Sequence, residues 1–220
     1  MTKQSKLESL RVYALLTERH CAAGWQETAK GLLAGGVDAL QFREKDLPDG
    51  ALIERARLLR RMTARAGALL IMNDRPDIAL LSRADGVHLG REDLRPVDVR
   101  RLLDGGFIIG LSTHSADQAA LAHSMGADYV GAGPFAPTAT KGYDEGGGAD
   151  LVRAIAGATP LPKVAIGGIT PENAAEAVAA GANAVAACSA LCGADDPERA
   201  ARKLREAVEK GLERRGDSGE

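Results

Sequence analysis

The chain has 220 residues, 45% hydrophobic, 26% charged and 3% aromatic, enough for one large domain or two small ones. Its 28 basic and 30 acidic side chains leave a net charge of −2, which gives no basic footprint for nucleic acid or an anionic membrane. No apolar run reaches the roughly 20 residues that span a bilayer, the start Met1-Thr2-Lys3-Gln4 lacks the apolar core of a signal peptide, and three cysteines (21, 188, 192) do not make a disulfide framework. A reducing, cytoplasmic location is therefore expected.

Taken in chain order, short apolar runs at Val12–Leu16, 37–42, 68–72, Gly86–Leu89, 107–111, Tyr129–Ala132, Lys163–Ile166 and 184–188 predict buried strands. Their lack of strict alternation fits a parallel sheet covered on its outer face. Between them lie helical segments. Residues 51–66 set Leu52, Ala56, Leu59 and Thr63 on one stripe, 115–125 follow Ser115 as N-cap, 171–180 have Thr170 as cap and Pro171 at the first position, and 198–212 form a charged amphipathic helix. Three helix ends share one phrase, a glycine followed by a polar residue that opens the next strand: Gly36-Val37-Asp38, Gly126-Ala127-Asp128 and Gly181-Ala182-Asn183. Strands recurring about every 25 residues, each followed by a helix, predict a single-domain α/β (β/α)8 barrel with its core over about 11–210. Residues 1–10 and 214–220 read as frayed ends. A doubly wound open sheet competes, but no Gly-x-Gly-x-x-Gly follows the first strand.

In such a barrel the polar residues at the C-terminal ends of the strands carry the chemistry. After the second strand, Gln41, Arg43 and Lys45 alternate and should point inward, a basic set suited to phosphate. Asp74 and Asp93 stand on the next two loops; each could cap a helix, but as a pair of oxygen donors beside bases they suit Mg²⁺ bridging to a substrate phosphate. Ser112 and Thr113 offer hydroxyls, whereas His88 and His114 read as satisfied structural histidines. The segment 133–148 is long, lacks a hydrophobic period, and offers Thr138, Thr140 and Lys141 to phosphate on a lid with glycine hinges. Gly167-Gly168-Ile169 and Cys188-Ser189 follow the last two strands, where many barrels hold phosphate on backbone N–H groups. Cys188 itself reads as a small buried apolar residue. Two anionic sites on one rim are implied, one basic and one built from backbone.

With these residues in hand, Gln41–Lys45, Asn73-Asp74-Arg75, Gly86–Leu94, Ser112-Thr113-His114, Gly133–Lys141, Ala165–Ile169 and Ala187–Leu191 resemble, in order and spacing, the motifs of the thiamine-phosphate synthase family. The likeness runs over about 11–210. It implies a (β/α)8 barrel that joins a hydroxymethylpyrimidine diphosphate to a thiazole phosphate, with Mg²⁺ as cofactor. The pyrimidine diphosphate would be held by the segment Gln41, Phe42, Arg43, Glu44 and Lys45 with Asn73, Ser112 and Lys141. The thiazole phosphate would be held by Thr138, Ala139, Thr140, Gly168, Cys188 and Ser189, and Mg²⁺ by Asp74 and Asp93. Lys141, Ser112 and Arg43 form the expected catalytic set, offsetting charge on the departing diphosphate while the aminopyrimidine stabilises a methylene cation. Phe42, Arg91 and the pair Phe135-Ala136 depart from the usual pattern without removing a proposed ligand. Small-molecule substrates are the expected partners, with no nucleic acid or membrane and with a homo-oligomer left open. An aminothiazole tautomerase, a phosphosugar isomerase or epimerase, and a non-catalytic phosphate-ligand binder are the rival readings.

Overall fold

The computed structural model describes residues 2–103, 106–138 and 144–217, without the side chains of residues 3, 4 and 217. The strands β1 (Val12–Leu16), β2 (Ala39–Phe42), β3 (Leu69–Asn73), β4 (Gly86–Leu89), β5 (Ile108–Thr113), β6 (Tyr129–Ala132), β7 (Lys163–Ile166) and β8 (Ala184–Ala187) pair in parallel and in chain order. β8 closes on β1, with Tyr13 opposite Ala186. Helices α2 (Trp25–Ala34), α3 (Asp49–Ala66), α4 (Pro76–Ser82), α5 (Pro96–Leu102), α6 (Ala116–Ala122), α7 (Gly148–Ala158), α8 (Pro171–Ala179) and α10 (Pro197–Asp217) alternate with the strands, and α9 (Ser189–Cys192) is a short turn after β8. Among the described residues no helix is long and apolar enough to cross a membrane.

Every strand is buried on both faces, so its apolar residues divide by parity into two cores. Leu16, Leu40, Phe42, Leu70, Met72, Val87 and Val130 pack outward against the helices. Tyr13, Leu15, Ile71, Ile108, Tyr129, Val164 and Ala186 fill the lumen. Gly110 serves this lumen directly, because a Cβ there would sit inside the Tyr129 ring.

The N-terminal end of the barrel is not frayed, contrary to expectation. Residues Lys3–Glu8 form α1, and Leu7 and Leu10, each 2% exposed, join the inner cluster and plug that end. At the other terminus α10 continues past residue 212, and Arg215 donates to the Ala182 carbonyl at 3.1 Å. The residue just before each even-numbered strand grips the strand ahead of it. Asp38 accepts from Arg11 and Val12 N–H, Asp85 from Leu70, Asp128 from Ile109, and Asn183 from Lys163, at 2.7–3.0 Å. That is the physical work of the polar residue in the repeated glycine phrase.

Candidate active site

The C-terminal rim opens into two adjoining spaces that share Ser112 and His114. One is a polar cleft of about 1210 Å³, lined by Arg43, Lys45, Asn73, Asp74, Arg91 and Asp93. The other, of about 690 Å³, is lined largely by small and apolar groups, including Gly131, Gly133, Ile166, Gly167, Gly168, Ile169 and Cys188, with Thr138 and Ser189.

In the polar cleft the β2 alternation carries Arg43 inward, where it is 7% exposed and its Nε has no hydrogen-bond partner among the described residues. A guanidinium donor left open in a buried position is set for an anion. Lys45 follows at the mouth, its Nζ 3.5 Å from Asp74 Oδ2. Asp74 and Asp93 meet across the cleft. Burial and the neighbouring Asp93 push the Asp74 carboxyl up, while Lys45 pulls it down. Asp74 also holds a left-handed backbone (φ 61°), a conformation few non-glycine residues adopt without a constraint. Neither acid caps a helix: α4 starts after Arg75 and α5 after Arg95. Asp93 Oδ2 instead accepts from Gly90 N–H at 2.6 Å, which holds its loop in place.

Below the rim runs a buried chain of polar groups that the sequence did not reveal. Gln41 Nε2 donates to Tyr13 Oη (2.8 Å), which lies 3.0 Å from Tyr129 Oη, which lies 3.0 Å from His88 Nδ1; His88 Nε2 is 2.9 Å from Ser112 Oγ. Burial drives both tyrosine hydroxyls far above their ordinary pKa, so they remain protonated. A proton order running from Tyr13 to Tyr129, from Tyr129 to His88 Nδ1 and from His88 Nε2 to Ser112 is one that this geometry accommodates, with Tyr13 accepting from Gln41. This order satisfies each buried donor and leaves the Ser112 proton facing the junction of the two spaces. His88 is thus the satisfied histidine expected. His114 donates from Nδ1 to the Gly133 carbonyl at 2.5 Å and also lines both spaces.

The small-residue space is shaped by backbone. Gly167 and Gly168 have positive φ (92° and 63°), and a Cβ at Gly168 would come within 2.7 Å of Ala136 Cβ and Pro137 O. Glycine is needed there by the loop that folds over it: Phe135 and Ala136 N–H donate to Ile166 and Gly167 carbonyls at 2.8 and 2.9 Å. Asn173, which sequence reasoning passed over, latches the same turn. Its Oδ1 accepts from Thr170 N–H (2.9 Å) and its Nδ2 donates to Gly168 O (2.8 Å).

Of the predicted site residues, Arg43, Lys45, Asn73, Asp74, Asp93, Ser112, Thr138, Gly168, Cys188 and Ser189 are brought to the rim. Gln41 lies beneath it. Phe42 and Glu44 require correction, because their parity turns them away. Phe42 is 1% exposed in the outer core, 6.5 Å from the Trp25 ring, and Glu44 accepts from Glu18 N–H, with burial raising its carboxyl pKa. Ala139, Thr140 and Lys141 lie outside the described residues.

Together, the closed parallel barrel and the polar residues gathered at its C-terminal rim define a (β/α)8 barrel of the enzyme type, with its candidate site at the C-terminal ends of the strands. The comparisons narrow the class. The family model described as thiamine monophosphate synthase matches residues 12–191. Thiamine-phosphate synthase of Moorella thermoacetica is 48% identical over 143 residues, covering 64% of this chain and 68% of that protein. Its counterpart in Coprothermobacter proteolyticus is 39% identical over 169 residues, covering 76% and 80%. A solved thiamine phosphate pyrophosphorylase from Pyrococcus furiosus superposes with a TM-score of 0.87 at 35% identity, over 94% of this chain and 98% of that one. 3-Hexulose-6-phosphate synthase shares the fold alone, at 18% identity and a TM-score of 0.67. The chain belongs to the thiamine monophosphate synthase family.

Proposed function

We propose that this chain is a cytoplasmic transferase that condenses 4-amino-2-methyl-5-hydroxymethylpyrimidine diphosphate with a thiazole phosphate, giving thiamine phosphate and diphosphate. The observation that carries the reading is the buried Arg43 with its open Nε, beside Lys45 and facing the Asp74–Asp93 pair. A diphosphate placed there meets two cations on one side. On the other it meets two carboxylates that need a positive charge between them.

Those carboxylates fit Mg²⁺. They are hard oxygen donors whose mutual repulsion a divalent cation would relieve. Among the described residues no group of three or more His, Cys, Asp or Glu could hold a metal, so the remaining ligands would come from substrate and water. When bound, Mg²⁺ would offset charge on the departing diphosphate.

The chain's own residues do the rest. Arg43 and Lys45 draw the diphosphate oxygens away from the pyrimidine methylene as the bond breaks, and Lys141 adds a third positive charge from its loop. The Ser112 hydroxyl, with its proton directed by the His88 chain, donates where the two spaces meet. The space around Gly131, Ile166 and Cys188 receives the thiazole and keeps water from a pyrimidine cation, so that the ring nitrogen attacks instead. No covalent nucleophile is required.

The test is turnover: the protein, both substrates and Mg²⁺ should release thiamine phosphate and diphosphate in equal amounts, and exhaustive EDTA should stop it. Tight binding of the thiazole phosphate with no product would mark a non-catalytic binder instead.

A further inference from the structure

Cys21, distant in sequence, meets the close pair Cys188 and Cys192 beside the small-residue space. Cys21 follows β1, and Cys188 and Cys192 flank the short α9 after β8, the strand that pairs with β1. The Cys192 thiol is fully buried, donates to the Leu15 carbonyl at 3.2 Å, and lies within hydrogen-bonding reach of both the Cys188 and Cys21 thiols. Cys21 donates to the Thr17 carbonyl at 3.3 Å, and Ala22 N–H ties its segment to the Cys192 carbonyl at 3.1 Å. Cys188 is half-buried and forms part of the cavity wall, open to a small solute.

We propose that Cys188 and Cys192 form a dithiol site for hydroperoxides, Cys188 being the thiol that attacks the peroxide and Cys192 the thiol that resolves it to a disulfide.

The two thiols are prepared for different steps. The neighbouring Cys192 thiol and the positive charges of Arg43 and Arg19 hold the Cys188 thiol below its ordinary pKa, whereas its two thiol neighbours and burial push Cys192 well up. The Cys188 thiolate attacks one peroxide oxygen, forming an S–O bond while the O–O bond breaks and hydroxide leaves. That hydroxide takes the Cys192 proton. Cys192 sulfur then attacks Cys188 sulfur and expels the sulfenic oxygen, which picks up a proton and leaves as water. Two thiols are oxidised to one disulfide, and one peroxide is reduced to two waters.

Spacing permits the bridge. Cys192 N–H donates to the Cys188 carbonyl at 2.8 Å, a single α-turn, which sets the Cα atoms about 6 Å apart, within the disulfide range. Closure draws Cys188 out of the cavity wall toward α9.

The experiment uses the intact protein treated with hydrogen peroxide, alkylated and digested with trypsin. Both cysteines fall in the peptide 164–199 and Cys21 in the peptide 20–30. The expected result is a loss of about 2 Da in peptide 164–199, with Cys21 still alkylated and the change reversed by dithiothreitol. In Cys192→Ser, dimedone should trap a sulfenic acid at Cys188. The proposal is overturned if peptide 164–199 keeps two alkylated thiols under peroxide that oxidises free glutathione, if the bridge joins the Cys21 peptide, or if Cys192→Ser yields no adduct.

Discussion

The two ends of this barrel use aspartate in opposite ways. At the N-terminal end Asp38, Asp85 and Asp128 each accept a strand N–H and pair with an arginine from a surrounding helix: Arg205 at 2.8 Å, Arg60 at 3.5 Å and Arg100 at 2.6 Å. At the C-terminal end Asp74 and Asp93 face one another, and among the described residues Asp74 has only Lys45, 3.5 Å away, as its cation. The first arrangement satisfies each carboxylate within the protein. The second leaves charge to be met by something that arrives. An acid supplied with its partners belongs to the scaffold, and acids set against each other mark the place where a ligand completes the structure.

The sharpest way to break this contrast is at the upper pair. Asp74→Asn or Asp93→Asn should lower kcat by about 10²–10³-fold, the range for losing one charge-stabilising element, and should weaken Mg²⁺ activation. Thermal stability should hold or rise, since a like-charge contact is removed; steady-state rates across a Mg²⁺ titration and a melting curve test both halves.

The lower end should answer in reverse. Asp128→Ala orphans the Ile109 N–H and removes the carboxylate partner of Arg100, whose guanidinium keeps the Phe107 and Gly126 carbonyls. The pair is partly solvated, so a cost of about 1–3 kcal/mol is expected, read as a loss of roughly 2–4 °C in Tm for each kcal/mol. The kcat of the folded protein should be unchanged.

Within the upper end, Gly168→Ala separates backbone shape from charge. The left-handed φ costs about 1–2 kcal/mol with a Cβ, and the contact with Ala136 and Pro137 displaces the loop over the small-residue space. The KM for the thiazole phosphate should rise far more than that for the pyrimidine diphosphate. Equal rises would mean the two substrates are assigned to the wrong halves. Asn173→Ala should give the smallest effect, about 1 kcal/mol in stability with a modest rise in the thiazole phosphate KM, because one latch is lost while the loop keeps its backbone bonds.

The sequence carried the fold well where burial was uniform. β1, β4, β6 and β7 span the residues read from the apolar runs. β2 starts at Ala39 rather than Val37 because Asp38 is occupied in gripping β1. α1 was invisible because six residues are too few to show a helical period, and Leu7 and Leu10 earn their places only against a lumen made by strands far along the chain. The same limit hid the lumen chain. Tyr13, Gln41, His88, Tyr129 and Ser112 come from five strands, and nothing local links them. Strand alternation already placed Arg43 and Lys45 inward, and by the same rule it turns Phe42 and Glu44 outward. Reading 41–45 as one contiguous motif hid that distinction.

The grips before the even-numbered strands also bear on how the chain folds. Each joins a strand to its successor across a short stretch of sequence, 15 residues for Asp85 to Leu70 and 19 for Asp128 to Ile109. Such contacts close with little loop entropy, so β1–β2, β3–β4, β5–β6 and β7–β8 can form as separate pairs early on. The seam between β8 and β1 is different, because it joins residues from the two ends of the chain. The last helix lies beside that seam, and its Arg205 donates to Asp38, the residue that grips β1. Ring closure thus brings together the two ends of the chain, and refolding rates should respond to changes in α10 more than to changes in any earlier helix.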